Sequence, residues 1–149
     1  MKSKNPLFTM GYSGYDQASF LSELRRHHVE VVIDVRQRPL SRKKGFSRST
    51  LSEFLAANNV EYRHEAELGV PAELRSELKA GHQDLDSYFS VFRDYLVQHT
   101  EALDRVYELA VGRRCCLICL EHSPEECHRS VVADAVQERN GHRLQVTHV

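Results

Sequence analysis

Stretches of hydrophobic residues with a strand-like pattern alternate along the chain with stretches that have helical spacing. Residues 29–35 are almost continuously β-branched, as in a strand buried on both faces of a parallel sheet. Residues 114–120 have the same pattern, and shorter strands are expected at residues 7–10, 60–64 and 144–149. The sequence therefore predicts five strands.

Between these strands, apolar residues recur at the three- and four-residue spacing of amphipathic helices. Ser49 or Thr50 is expected to cap the second helix, with Glu53 completing a capping box after Thr50. The predicted helices are residues 16–28, 49–58, 71–78, 85–110 (one helix, or two joined near Thr100) and 124–139. Alternating strands and helices predict βαβ units. We expect one α/β domain over residues 1–149, a three-layer Rossmann-like arrangement with a mainly parallel sheet flanked by helices.

The composition and charge of the chain limit the partners and compartments that can be expected. The 149 residues carry 20 Lys and Arg against 21 Asp and Glu, so any attraction to nucleic acid must be local. No apolar run approaches the roughly 18 residues of a membrane span, and we expect no membrane partner. All four cysteines lie within residues 115–127, unlike the spread of a disulfide scaffold, which favours a reducing compartment such as the cytoplasm.

Ligands of open parallel sheets bind beyond the carboxyl ends of the strands, so the loops after the strands are the candidate sites. Gly11, Tyr12 and Ser13 follow the first strand, and this combination suits close approach of a phosphate. An ordinary tight turn is the favoured explanation of these residues, because they form neither a P-loop nor a GxGxxG motif. We expect no cofactor.

The loop after the second strand is strongly basic. We call residues 36–48 the basic loop; its cations are Arg36, Arg38, Arg42, Lys43, Lys44 and Arg48. Arginine forks match the oxygens of phosphate, so Arg36 and Arg42 are candidate anion ligands. Asp34 is either the structural partner of Arg36 or a catalytic carboxylate.

The segment after the fourth strand carries the most reactive groups. Glu121 follows the strand, and the expected helix from residue 124 begins with free backbone N–H groups that face Cys127, His128 and Arg129. A helix N-terminus favours the thiolate, so Cys127 is predicted to be the most reactive thiol. An anion there would meet both the helix end and Arg129.

The cysteines resemble a zinc ligand set, because Cys116 and Cys119 precede Cys127 and His128. Strand alternation places Cys116 and Cys119 on opposite faces of the sheet, where they cannot share a metal, so we expect no metal site. Cys119 and Cys127 could still form a redox pair, or two ligands completed by His128.

These segments also resemble the bacterial and archaeal family called domain of unknown function 488. The motifs that carry the resemblance are Thr9-Met10-Gly11-Tyr12-Ser13, Asp34-Val35-Arg36 with Pro39 and Ser41-Arg42, Phe46-Ser47, Tyr62-Arg63-His64, Glu67-Leu68-Gly69, Cys119-Leu120-Glu121 and Pro124-Glu125-Glu126-Cys127-His128-Arg129. Tyr12 stands where the family commonly has His. The resemblance implies the α/β fold, a single site built from these loops, and nucleotide or nucleic-acid chemistry.

Three functions compete. The first is an enzyme acting on a phosphate-bearing nucleotide or nucleic acid. Its proposed parts are Arg36, Arg42 and Arg129 on the phosphate, Glu121 as general acid or base, and Cys127 or His128 as nucleophile or proton carrier. The second is a non-catalytic module that binds nucleotide or nucleic acid. The third is a thiol-redox or metal protein built on Cys119 and Cys127.

Overall fold

A computed structural model describes residues 5–79, 81, 84–120, 128–139 and 144–149. The strands of this part of the chain are β1 (Asn5–Gly11), β2 (Val31–Asp34), β3 (Glu61–His64), β4 (Cys115–Cys119) and β5 (Leu144–His148). The helices are α1 (Gln17–Arg26), α2 (Arg48–Ala57), α3 (Ala72–Lys79), α4 (Leu85–Leu96), α5 (Thr100–Gly112) and α6 (His128–Arg139), with a 3₁₀ turn at Ala66–Leu68. None of these helices has the length and apolarity needed to cross a membrane.

The five strands form one sheet in the order β3-β2-β4-β1-β5, and every neighbouring pair is parallel. Successive strand residues point to opposite faces, so the sheet has two separate apolar layers. Leu7, Ile33 and Leu117 pack with α4, α5 and α6, whereas Val32 and Ile118 pack with α1 and α2. The predicted three-layer α/β fold with a parallel sheet is confirmed.

The cysteines of β4 follow the same alternation. Cys115 and Cys119 lie in the apolar layer under α4–α6, and Cys116 lies in the layer under α1 and α2. The opposite orientation of Cys116 and Cys119 is therefore confirmed.

One helix boundary differs from the sequence prediction, and one open alternative is decided. The segment expected at residues 85–110 is two helices, the first ending at Leu96 and the second beginning at Thr100, which confirms the alternative of two helices joined near Thr100. The second helix begins at Arg48 with Ser47 at its N-cap, so the predicted cap at Ser49 or Thr50 is wrong. Ser47 Oγ instead accepts from the amide of Ser41 (2.9 Å) and donates to its carbonyl (3.2 Å), which closes the basic loop on itself. The predicted start at residue 124 and end at residues 140–141 of the last helix lie outside the described residues.

The order of the strands opens a crevice at their carboxyl ends. The chain leaves β1 and β2 towards the face that carries α1 and α2, but it leaves β4 towards the face that carries α6. Because β4 lies between β2 and β1, neighbouring connections diverge to opposite sides of the sheet. Such a topological switch point is where open α/β sheets bind their ligands.

Candidate functional site

A cavity of about 140 Å³ lies in this crevice, and the residues after four different strands contribute to its wall. Tyr12 follows β1, Arg36 follows β2, Val70 follows β3 and Leu120 follows β4. The remaining lining side chains are Gln37, Arg38, Leu40, Arg75, Tyr88 and His128. The fold thus brings Tyr12, Arg36 and His128 together from loops far apart in the sequence.

An ion pair between Asp34 and Arg36 lies at the inner wall of the cavity. Asp34 is fully buried, and its Oδ1 and Oδ2 accept from Arg36 Nε at 2.8 Å and Nη2 at 2.6 Å. The same carboxylate accepts from the Arg36 amide at 3.1 Å and from the Tyr62 hydroxyl at 2.5 Å. Asp34 is therefore the structural partner of Arg36, held in the two-point geometry of an arginine–carboxylate fork.

The third nitrogen of the Arg36 guanidinium, Nη1, also makes hydrogen bonds. Nη1 donates to the Tyr12 hydroxyl at 2.9 Å and to the Phe46 carbonyl at 2.8 Å, and the Tyr12 and Phe46 rings stack with centroids 4.7 Å apart. These contacts use four of the five N–H groups of the side chain. Burial alone would lower the pKa of Arg36, but the hydrogen bonds and charge of Asp34 raise it above its ordinary value. Arg36 is a fixed, permanently charged group.

Tyr62 supports this pair from the neighbouring strand. Burial, followed by the negative charge of Asp34, raises the pKa of the Tyr62 phenol well above its ordinary value. The hydroxyl therefore stays protonated and donates to Asp34 at physiological pH.

Two histidines hold the backbone on either side of this pair. His128 Nε2 lies 2.8 Å from the Val35 carbonyl, and His64 Nε2 lies 2.7 Å from the Arg36 carbonyl. A carbonyl can only accept, so both rings donate from Nε2. In a neutral ring the basic nitrogen is then Nδ1, which makes His128 a chemically suitable proton carrier in the cavity wall.

Residue 69, in the segment after β3, has to be a glycine because the backbone of Gln37 lies against it. An ideal Cβ built on Gly69 would lie 2.1 Å from the Gln37 amide nitrogen and 2.5 Å from its Cα. The φ angle of Gly69 is −85°, so the requirement is close approach of two backbones and not an unusual conformation. A side chain at residue 69 would push away the backbone that carries Arg36 and Arg38.

Two exposed arginines, Arg38 and Arg75, complete the cavity wall. Among the side chains that the structure describes, which do not include those of residues 77–79 and 85, no carboxylate lies within 4 Å of either guanidinium, whereas Arg105 pairs with Glu65 and Arg139 with Asp104. The described lining contains no Asp or Glu. The sequence does not single out either arginine as a site residue. Arg38 is one of six cations in the basic loop, and Arg75 carries no signal because arginines on helix surfaces are common.

The loop after β1 contributes to the cavity only through Tyr12. The amides of Tyr12 and Ser13 donate to the carbonyls of Cys119 and Leu120, each at 3.0 Å, so they extend the β1–β4 pairing and are not directed at a ligand. Gly11 is the last residue of β1 and is paired with Cys119. Arg42 lies in the basic loop but outside the cavity lining.

The remaining predicted residues lie near or beyond the end of β4. Arg129 is fully buried on α6, and its Nη1 lies 3.5 Å from the Cys119 sulfur. Cys119 is disulfide-bonded. Glu121 and Cys127 lie outside the described residues, so their predicted roles stay predictions. Within the described part of the chain, no group of three or more His, Cys, Asp or Glu side chains could hold a metal ion.

These features define a Rossmann-like α/β protein with a polar cavity at the carboxyl edge of its sheet. The chain belongs to the family described as domain of unknown function DUF488, which matches residues 16–136. The matched range contains the cavity residues from Arg36 to His128, while Tyr12 precedes it. No curated protein and no solved structure matches the chain.

Proposed function

We propose that the cavity binds the phosphate of a nucleotide or nucleic acid and that the protein is an enzyme acting on that ligand. The observation that carries this proposal is the composition of the described lining, which has three arginines and no carboxylate. Guanidinium forks and phosphate oxygens have matching geometry, and charge-assisted hydrogen bonds are the stronger kind.

The three arginines are suited to different tasks. Asp34 offsets the charge of Arg36 and fixes its orientation, so Arg36 provides a preorganised wall with one N–H group not used by the described contacts. Arg38 and Arg75 are exposed and lack a carboxylate partner among the described residues, so their charges remain for a ligand. Arg42 would act from the basic loop, and buried Arg129 would contribute its field from behind Cys119.

Three groups around the cavity could transfer protons. The Tyr12 hydroxyl accepts from Arg36, which leaves its own proton for donation to a ligand oxygen. His128, oriented by the Val35 carbonyl, would carry a proton at its other ring nitrogen. Glu121 remains our candidate for general acid or base, and Cys127, as a reduced thiol, for nucleophile, because both follow β4 in the sequence.

The binding proposal predicts that replacing both exposed arginines, Arg38→Ala with Arg75→Ala, weakens binding of inorganic phosphate and AMP by about a hundredfold or more. A charge-assisted hydrogen bond contributes about 1.5–3 kcal/mol, and each of the two substitutions removes one. Titration calorimetry measures the affinities. The matched control, Arg26→Ala with Arg139→Ala, removes two exposed arginines that pair with carboxylates elsewhere. Equal affinity of the Arg38/Arg75 variant and the wild type would contradict the proposal.

Glu121→Gln separates an enzyme from a binding module. For an enzyme, we expect this variant to keep AMP affinity while losing turnover of a substrate found by screening nucleotides and oligonucleotides, because the amide cannot transfer the proton. Undiminished turnover would remove Glu121 from the mechanism. Complete lack of turnover in the wild type would favour the non-catalytic module.

A thiol-redox function is the second candidate, and the surroundings of Cys119 favour it. Cys119 is disulfide-bonded at the carboxyl end of β4, and the Arg129 guanidinium lies at hydrogen-bond distance from its sulfur. A guanidinium in this position would stabilise a thiolate after reduction. Cys119 is only 1% exposed, so this function would need Cys127 as the accessible thiol.

Thiol titration of the reduced native protein is expected to modify Cys127 first, Cys119 second, and Cys115 and Cys116 only after unfolding. Both of the latter are buried free thiols, and burial raises the pKa of Cys115 to about 12 and that of Cys116 further. At neutral pH, the thiolate fraction of Cys115 is then about a thousandfold below that of an ordinary cysteine. Peptide mapping identifies the order. Early modification of Cys115 or Cys116 would contradict their buried positions in β4.

A further inference from the structure

We infer that the ligand is a single-stranded nucleic acid, with its terminal phosphate in the cavity and its backbone following the basic loop. This inference rests on the proposed function and extends it from a phosphate to a polymer. It follows from three features: cations that lie beyond the cavity, a second depression along the loop, and the small size of the cavity itself.

The cations of the basic loop extend well past the cavity. Arg42, Lys43, Lys44 and Arg48 are outside its lining, and among the described residues none of them lies within 4 Å of a carboxylate. A single nucleotide in the cavity would leave these charges unused. A strand carrying one phosphate per nucleotide would pair with them in succession.

The loop is fixed in position where these cations lie. Lys43 Nζ donates to the Ser13 carbonyl at 3.3 Å and lies 5.9 Å from the centroid of the Phe46 ring. The Gly45 carbonyl accepts from Gln17 Nε2 at 2.9 Å. The basic loop is thus held against α1 and the loop after β1, and it presents a preformed surface.

A second, shallower depression of about 400 Å³ lies beside Lys44. The half-buried ring of Phe54 lines it and offers an apolar surface against which a base can pack. The Asp16 carboxylate also lines it, but one of its oxygens caps α1 by accepting from the Ser19 amide at 2.8 Å. The basic loop joins the two sites along the chain, because Arg36 and Arg38 line the cavity and Lys44 lines the depression.

The described part of the cavity is small for a whole nucleotide. Its 140 Å³ compares with at least about 300 Å³ for typical small-molecule sites, so it suits a terminal group of a larger molecule. Leu40 and Leu120 line it and are 74% and 45% exposed, so they offer apolar contacts to bases outside. Bases stacked inside a duplex do not present their faces in this way, which favours a single strand.

Fluorescence anisotropy with labelled oligonucleotides of about 12 nucleotides tests the inference. We expect single-stranded DNA or RNA with a 5′- or 3′-phosphate to have a dissociation constant about tenfold or more below that of AMP, which is measured by competition. The single strand should also bind more tightly than the duplex. In Lys44→Ala with Arg48→Ala, the slope of log affinity against log salt should fall by about 1.4, since each lost contact to a single strand removes about 0.7. AMP affinity should not change, and neither quantity should change in the control Arg26→Ala with Arg139→Ala.

The outcomes separate this inference from the proposed function. The inference would be overturned if oligonucleotides bound no more tightly than AMP, or if the salt slope were unchanged in the Lys44/Arg48 variant. In both cases, binding of AMP would still support the phosphate site. Tighter binding of the duplex, or equal competition by polyglutamate, would also overturn it. Absence of binding by phosphate, AMP and oligonucleotides alike would contradict the proposed function itself.

Discussion

Asp34→Asn is expected to lower the free energy of unfolding by about 3–5 kcal/mol, the usual cost of leaving one member of a buried ion pair uncompensated. Arg36 is only 8% exposed and would lose its charge partner, while the Tyr62 hydroxyl would lose a charged acceptor. Urea unfolding followed by circular dichroism measures the change from the shift in midpoint at constant slope.

Glu61→Gln is the matched control for Asp34→Asn. Glu61 also bonds arginines, accepting from Arg113 Nη1 at 2.9 Å, but both side chains are 38% exposed. Exposed ion pairs contribute about 0–1 kcal/mol, so the control should stay within that range. An Asp34→Asn variant as stable as Glu61→Gln would contradict the central structural role of the Asp34–Arg36 pair.

Gly69→Ala is expected to reduce stability by about 1–3 kcal/mol, as overpacking does, and to weaken AMP binding as well. The new methyl group would lie 2.1 Å from the Gln37 nitrogen, so the backbone between Arg36 and Arg38 has to move. Urea unfolding and calorimetry on the same variant measure both effects.

Gly112→Ala is the matched control for Gly69→Ala, because a Cβ at Gly112 meets no atom within 4 Å. At the end of α5 this substitution should be neutral or stabilising, since alanine has the higher helix propensity. If Gly69→Ala behaved like Gly112→Ala in both measurements, the close approach of Gly69 to Gln37 would not be what shapes the cavity.

The Asp34–Arg36 pair is better explained by orientation than by stability. Burying two charges costs desolvation energy, and apolar replacements of buried pairs are often neutral or stabilising. Here the pair fixes a guanidinium in the wall of a cavity, with the Tyr12 hydroxyl attached to its other end. Preorganised charge of this kind is what anion binding and transition-state stabilisation require.

The sequence predicts the strands of this fold well because the neighbouring interior strands β2 and β4 are buried on two faces. Continuous apolar runs such as β2 and β4 leave little ambiguity about burial, and strand alternation alone places Cys116 opposite Cys119. The order of the strands could not be predicted, since it depends on which faces the connections cross. The rule that ligands bind at the carboxyl ends of strands does not need this order, and it points to the loops that line the cavity.

The details of the site depended on tertiary contacts that a sequence does not contain. The sequence leaves two roles open for Asp34, structural partner of Arg36 or catalytic carboxylate, because the Tyr62 hydroxyl reaches it only through the parallel register in which Val32 lies opposite Tyr62. Arg75 lines the cavity because its helix, α3, packs through Leu74 into the apolar layer of α4, α5 and α6. Capping rules do not predict the cap of α2 at Ser47, because the Ser47 side chain bonds Ser41 within the basic loop and makes no capping hydrogen bond.

A crystal structure of the protein with saturating AMP tests the account most directly. We expect the phosphate to lie in the cavity, within hydrogen-bond distance of Arg38 or Arg75 and of the Tyr12 hydroxyl, with the Asp34–Arg36 pair unchanged. AMP bound elsewhere on the molecule, with none of these side chains in contact with its phosphate, would contradict the account.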